Sequence, residues 1–136
     1  MRMTDEQIAV ANAILDEKNL ISLGFKKIEG EQDEYGGDCY QYKGFGGIKI
    51  RTFMGIKTLE LENYYTAPLV KSKDVHKEGT KYNKNQYWIY DVNNGNVDIH
   101  SNEELISICR EWAKAIKLAV IKKATELLEY YKNIEI

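Results

Sequence analysis

Proline occurs once in the 136 residues, cysteine twice and histidine twice, while arginine stands only at Arg2, Arg51 and Arg110. Each scarcity closes off a class of protein. Cys39 and Cys109 have no metal-ligand spacing around them, so neither a zinc site nor a disulfide framework is expected, and two buried thiols in a reducing cytoplasm fit better. No apolar run approaches the roughly 18 residues of a membrane span. The polar start from Met1 to Asp5 leads straight into a helix, so no signal peptide is expected. A net charge of −2 supplies no global field toward nucleic acid or membrane. The lack of arginine also counts against a dedicated phosphate reader, because the guanidinium fork is the preferred group for that task. At 136 residues the chain suits one domain, 1–136, with its own core.

Glycine and proline are both missing from Ser101 to Ile136, and here the absence is constructive. Ser101-Asn102-Glu103-Glu104 is a capping box, with the Ser101 hydroxyl placed to accept from the Glu104 N–H. Behind it Leu105, Cys109, Trp112, Ile116, Val120, Ala124, Leu127 and Tyr131 recur at steps of three and four, which predicts one amphipathic helix over 101–133. At about 1.5 Å per residue the whole stretch runs ~50 Å. A domain of this length has a radius of gyration near 14 Å, so roughly 28 Å across is comfortable. Such a helix either breaks or projects beyond its domain to meet a partner.

Upstream, Thr4-Asp5-Glu6-Gln7 is a second capping box and opens a helix expected to reach about Asn19, closed by Gly24. Phe25 to Glu29 predicts a short strand. Glu29 to Asp38, with five acids and no base, reads as a solvated turn. From Cys39 the period drops to two: Cys39 to Tyr42, Ile48 to Phe53 and Leu59 to Glu62 alternate, with one face expected to pack and the other to be wet. Lys71 to Asn85 reads as a mobile loop. Tyr87 to Val92 resumes the sheet, Asn93-Asn94-Gly95-Asn96 turns it, and Val97 to Ile99 returns. The order is a helix, an antiparallel meander of about five or six strands, and a long helix packed on one sheet face, an α+β fold.

Tyr87 to Leu105, an aromatic strand, an Asn/Gly hairpin and a His-Ser helix start, resembles a widespread group of small phage and prophage proteins. Leu23-Gly24-Phe25-Lys26 and Tyr40-Gln41-Tyr42 before Ile48-Lys49-Ile50 support the likeness. The Lys71 to Asn85 loop and the extension after Ile116 depart from it. The resemblance implies a viral accessory setting in a host cell and brings no mechanism.

Motifs with chemistry are thin. Gly44, Gly46 and Gly47 precede strand alternation rather than a helix, so they predict a hairpin and not a phosphate loop. Asp91-x-Asn93-Asn94-Gly95 has Gly at the wrong position for a calcium loop, and no metal or cofactor is expected. His100 with Cys39 or Cys109 could form a Cys–His pair only if the fold brings them together. The acids Glu31, Asp33, Glu34 and Asp38 could act as a nucleic-acid decoy toward a basic partner. Tyr82 and Trp88 with Lys81, Lys84, Arg110 and Lys114 could hold an anionic small molecule.

The resulting expectation is a non-enzymatic phage or prophage accessory protein, an anti-defence inhibitor that occludes a host protein or sequesters an anionic signal. It would form a homodimer or higher oligomer through Trp112, Ile116, Val120, Leu127 and Tyr131. A nucleic-acid-binding protein and a virion assembly component are the competing readings.

Overall fold

Thr4 starts the first helix by reciprocal bonds: Gln7 N donates to Thr4 Oγ1 at 3.1 Å and Thr4 N donates to Gln7 Oε1 at 2.9 Å. In this computed structural model, which describes residues 2–32, 38–62 and 85–136 (for 29–32 and 53 the backbone alone), α1 spans Asp5–Leu15. The helix expected to reach Asn19 is in fact two. Asp16 adopts φ −57° and ψ 133°, which ends α1, and its carboxylate accepts from Asn19 N to open α2, Glu17–Ser22. A short carboxylate at that point offers the backbone a cap in place of another helical turn. Gly24, at φ 100°, then turns the chain into the sheet.

Among the described residues five strands follow, β1 Phe25–Gln32, β2 Asp38–Tyr42, β3 Phe45–Phe53, β4 Ile56–Leu61 and β5 Gln86–Tyr90, paired antiparallel in chain order. β1 runs three residues past the Glu29 limit expected from sequence, so Glu31 belongs to the strand rather than to a turn. The β3–β4 connection is a tight turn with both central residues at positive φ, Met54 at 50° and Gly55 at 81°, the twist that a two-residue hairpin requires. The loop expected at Lys71 to Asn85 lies outside the described residues except for Asn85, whose carbonyl accepts from Leu61 N at 2.9 Å.

The returning segment Val97 to Ile99 does not become a sixth strand. Asp98 Oδ2 takes the Trp88 N–H at 2.9 Å, while the N–H groups of Asp98 and Ile99 both donate to the Trp88 carbonyl. A side chain has replaced one rung of the ladder. Between the two arms, Gly95 at φ 71° closes the turn by donating to the Asp91 carbonyl at 2.8 Å. The Asp91 carboxylate, buried, accepts from Asn96 Nδ2 at 2.9 Å.

Ser101 caps the last helix, α3, Asn102–Lys132, with its hydroxyl accepting from Glu104 N at 3.1 Å. Asn102 and Asn19 exchange side-chain bonds at 2.9 and 3.1 Å, tying α2 to the start of α3. The core lies between the helices and one sheet face: Ile48, Ile50, Leu59, Leu61, Tyr87 and Ile89 meet Leu105, Ile108, Cys109 and Trp112. Tyr87 and Trp112 pack as tilted rings with centroids 5.8 Å apart.

The opposite sheet face is not the wet surface that alternation predicts. Cys39 and Thr58 are buried there, and Glu62 pairs with Lys49 at 3.2 Å and Arg51 at 2.8 Å in half-buried surroundings. Glu60 accepts from Thr58 at 3.0 Å and from Gln86 at 2.8 Å. Charges shielded to this degree are tolerated because each has a partner.

Candidate interaction surface

At about 1.5 Å per residue α3 is ~46 Å long, and only its first half touches the sheet. Ile116 is its last buried residue. The apolar stripe nevertheless continues. Leu105, Ile116 and Leu127 stand eleven residues apart, as do Cys109, Val120 and Tyr131, and a spacing of eleven keeps a row almost straight along a helix. Each row therefore starts in the core and ends in the open: Trp112 is 1% exposed, Val120 and Leu127 46% each, and Tyr131 67%. Leu118, Ile121 and Leu128 are also exposed. Tyr130 and Tyr131 pack edge to face at 5.2 Å near the helix end.

At the point where α3 leaves the sheet, a groove of about 430 Å3 is lined by Gly44, Phe45, Gly46 and Gly47 from the β2–β3 hairpin and by Ile116 and Val120. The hairpin is widened there. Gln41 pairs with Lys49 but Tyr42 pairs with Phe45, so Gly46 to Ile48 bulge out of register. Glycines at this bulge leave no side chains between the hairpin backbone and the helix. The sequence pattern shows the turn. It contains no sign that the turn sits against the emerging helix.

The residues singled out from sequence separate clearly. Trp112 and Ile116, expected at an interface between copies, are consumed by the chain's own core, because the first four turns of α3 must cover the sheet. Val120, Leu127 and Tyr131 are exposed. Tyr82, Lys81 and Lys84 lie outside the described residues. Trp88 alternates with Tyr87 and Ile89 and so points to the sheet face away from α3, whereas Arg110 and Lys114 are exposed on α3. Strand alternation thus keeps Trp88 apart from the two helix cations with which an anion site was expected. Of the acidic run, Asp33 and Glu34 lie outside the described residues and Glu31 is described by its backbone alone. Asp38 opens β2 and pairs with Lys27 at 3.2 Å, and that hydrogen bond is the main reason the Lys27 ammonium sits above its ordinary pKa.

His100 is exposed at the start of α3, and Cys109 is buried two turns further along it. Burial pushes the Cys109 thiol far above its usual range, with Lys43 only weakly opposing. A sheathed neutral thiol is a poor nucleophile, since the thiolate is the reactive form. Cys109 is therefore expected to resist thiol reagents at neutral pH until the chain unfolds, as timed mass spectrometry of the labelled protein would record. The folded state keeps the thiol proton that the unfolded chain releases above a pKa of about 8.5, so wild type loses stability relative to Cys109→Ala as pH rises past that point, by up to about 1.4 kcal/mol per unit. Parallel denaturation curves at pH values on either side check this, and equal slopes would refute it.

Among the described residues no three His, Cys, Asp or Glu side chains gather as a metal site requires, and no helix is long and apolar enough to cross a membrane. Together these features define an α+β protein whose antiparallel sheet carries a projecting helix with an open apolar face. Comparison with family models, with curated proteins and with solved structures finds no match.

Proposed function

We propose that this chain is a non-catalytic binding protein of phage or prophage origin that works as a homodimer joined through the outer half of α3. In the cytoplasm of the host cell it occludes a host protein or sequesters an anionic small-molecule signal. One observation carries the reading: the apolar rows of α3 run on past Ile116 in continuity with the core, and Val120, Leu127 and Tyr131 are left exposed. The likeness of Tyr87 to Leu105 to small phage proteins supports the setting.

Burying one large apolar side chain contributes ~1.5–3 kcal/mol. Association costs about 4–15 kcal/mol before contacts are counted, so the several side chains that each copy presents are enough for micromolar pairing or tighter. Sedimentation equilibrium of the full chain is expected to show a dimer at high micromolar concentration that dissociates on dilution. Leu127→Glu, on an exposed position, is expected to give a monomer with an unchanged circular dichroism spectrum. A wild-type chain that remains monomeric at high micromolar concentration would overturn the assembly.

A further inference from the structure

We infer that the two copies of α3 pair antiparallel, with the two-fold axis passing between Thr125 and Glu126, and that each C-terminal end closes the groove at the foot of the other's helix. This rests on the proposed assembly through α3 and adds to it an orientation, a register and a use for the groove.

Side-chain size is the first argument. Val120, Ala124, Leu127 and Tyr131 follow one another at steps of four, three and four, the spacing of a helix–helix seam. In the antiparallel register Val120 meets the partner's Tyr131 and Ala124 meets the partner's Leu127. Every layer then joins a small side chain to a large one, as close packing requires. A parallel pair would instead set Ala124 against the partner's Ala124, leaving a void, and Tyr131 against the partner's Tyr131, overfilling its layer.

Charge is the second argument and is independent of size. The free half of α3 begins with Lys117, Lys122 and Lys123 and no acid, then turns acidic with Glu126 and Glu129, followed by Glu135 beyond the helix end and offset only by Lys132. Antiparallel pairing lays the basic half beside the acidic half of the other copy. It also brings Lys117 near the partner's helix C-terminus, the negative end of the dipole. Parallel pairing would stack like upon like.

Length is the third argument. The helix projects from Ile116 to Lys132, about 24 Å at 1.5 Å per residue. In this register the two helices overlap over residues 119–132, and the partner's tail arrives beside Ile116. The groove of about 430 Å3 between Phe45, the hairpin glycines and Val120 lies there. The partner's Ile134, exposed in a single chain, is the side chain brought to it.

The test uses the full chain with single substitutions on exposed positions. Cys39 and Cys109 are fully buried, so introduced thiols are the reactive ones. Val120→Cys and Tyr131→Cys proteins are mixed and oxidised, and products are read by non-reducing mass analysis. The expected result is a mixed Val120→Cys/Tyr131→Cys dimer that clearly outweighs either self-linked product. A Val120→Cys protein that links mainly to itself, while sedimentation still shows a dimer, overturns the orientation and leaves the assembly standing. Ile134→Asp is expected to raise the dimer Kd about tenfold, equivalent to about 1.4 kcal/mol. An unchanged Kd overturns the closing of the groove.

Discussion

Replacing Trp112 with alanine is expected to lower folding stability by about 3–5 kcal/mol, the range for deleting a buried aromatic side chain. Trp112 is 1% exposed, packs against Tyr87 at 5.8 Å, and lies where α3 crosses the sheet. A domain of this kind has only about 5–15 kcal/mol in total, so the variant should melt well below wild type or fail to fold. The comparison with Trp112→Phe makes the prediction specific. Trp112 Nε1 is buried without a hydrogen-bond partner among the described residues, and a buried donor left so costs stability. Phenylalanine keeps a ring against Tyr87 and removes that donor, so its cost should be less than half that of alanine. Urea unfolding followed by circular dichroism measures both. Equal losses would mean that the ring contact is not what holds α3 to the sheet.

The second large effect is expected at Asp91. Its buried carboxylate accepts from Asn96 Nδ2, its carbonyl accepts from Gly95 N, and its own N–H donates to the Met3 sulfur at 3.3 Å. The residue thus fixes the turn that delivers the chain from β5 to the cap of α3. It also ties the N-terminal segment to the end of β5. Asp91→Ala would strip the Asn96 amide of a charged acceptor and leave a small void, a loss of about 2–3 kcal/mol. In a domain of this size that corresponds to roughly 10 °C in Tm. Asp91→Asn, which retains one acceptor oxygen, should fall between the two. Thermal melts of the three proteins decide it, and an Asp91→Ala protein as stable as wild type would show that the turn holds without its cap.

Much of the architecture is legible in the residues because local chemistry dictates it. The reciprocal box at Thr4 and the Ser101 hydroxyl cap each satisfy orphan N–H groups locally, and both helices start where those residues stand. The change of period at Cys39 marks the meander, and the α+β order follows from it. The misplacements also have local causes. Asp16 was free to cap as well as to continue a helix, and capping prevailed. Asp98 had a carboxylate able to take the Trp88 N–H, so the returning arm never completed its ladder. A pattern of apolar and polar residues cannot weigh a side-chain acceptor against a backbone one, because the outcome depends on where the neighbouring strand lies.

The candidate surface was only partly legible. The apolar stripe of α3 is plain in sequence from Leu105 to Tyr131, but nothing in its chemistry marks where the sheet stops covering it. Tertiary packing draws that line at Ile116, which places Trp112 in the core and leaves Val120 and Leu127 outside. The groove beneath Val120 is equally a product of the fold, since it needs the β2–β3 bulge and the helix to meet across many residues of chain.

By itself the sequence determined most of the elements, their order and the existence of a helix too long for its own domain, because capping, periodicity and helix length are properties of neighbours along the chain. Only the tertiary structure decided which part of that helix belongs to the core and which part faces outward, because burial depends on how far a five-stranded sheet extends beneath it.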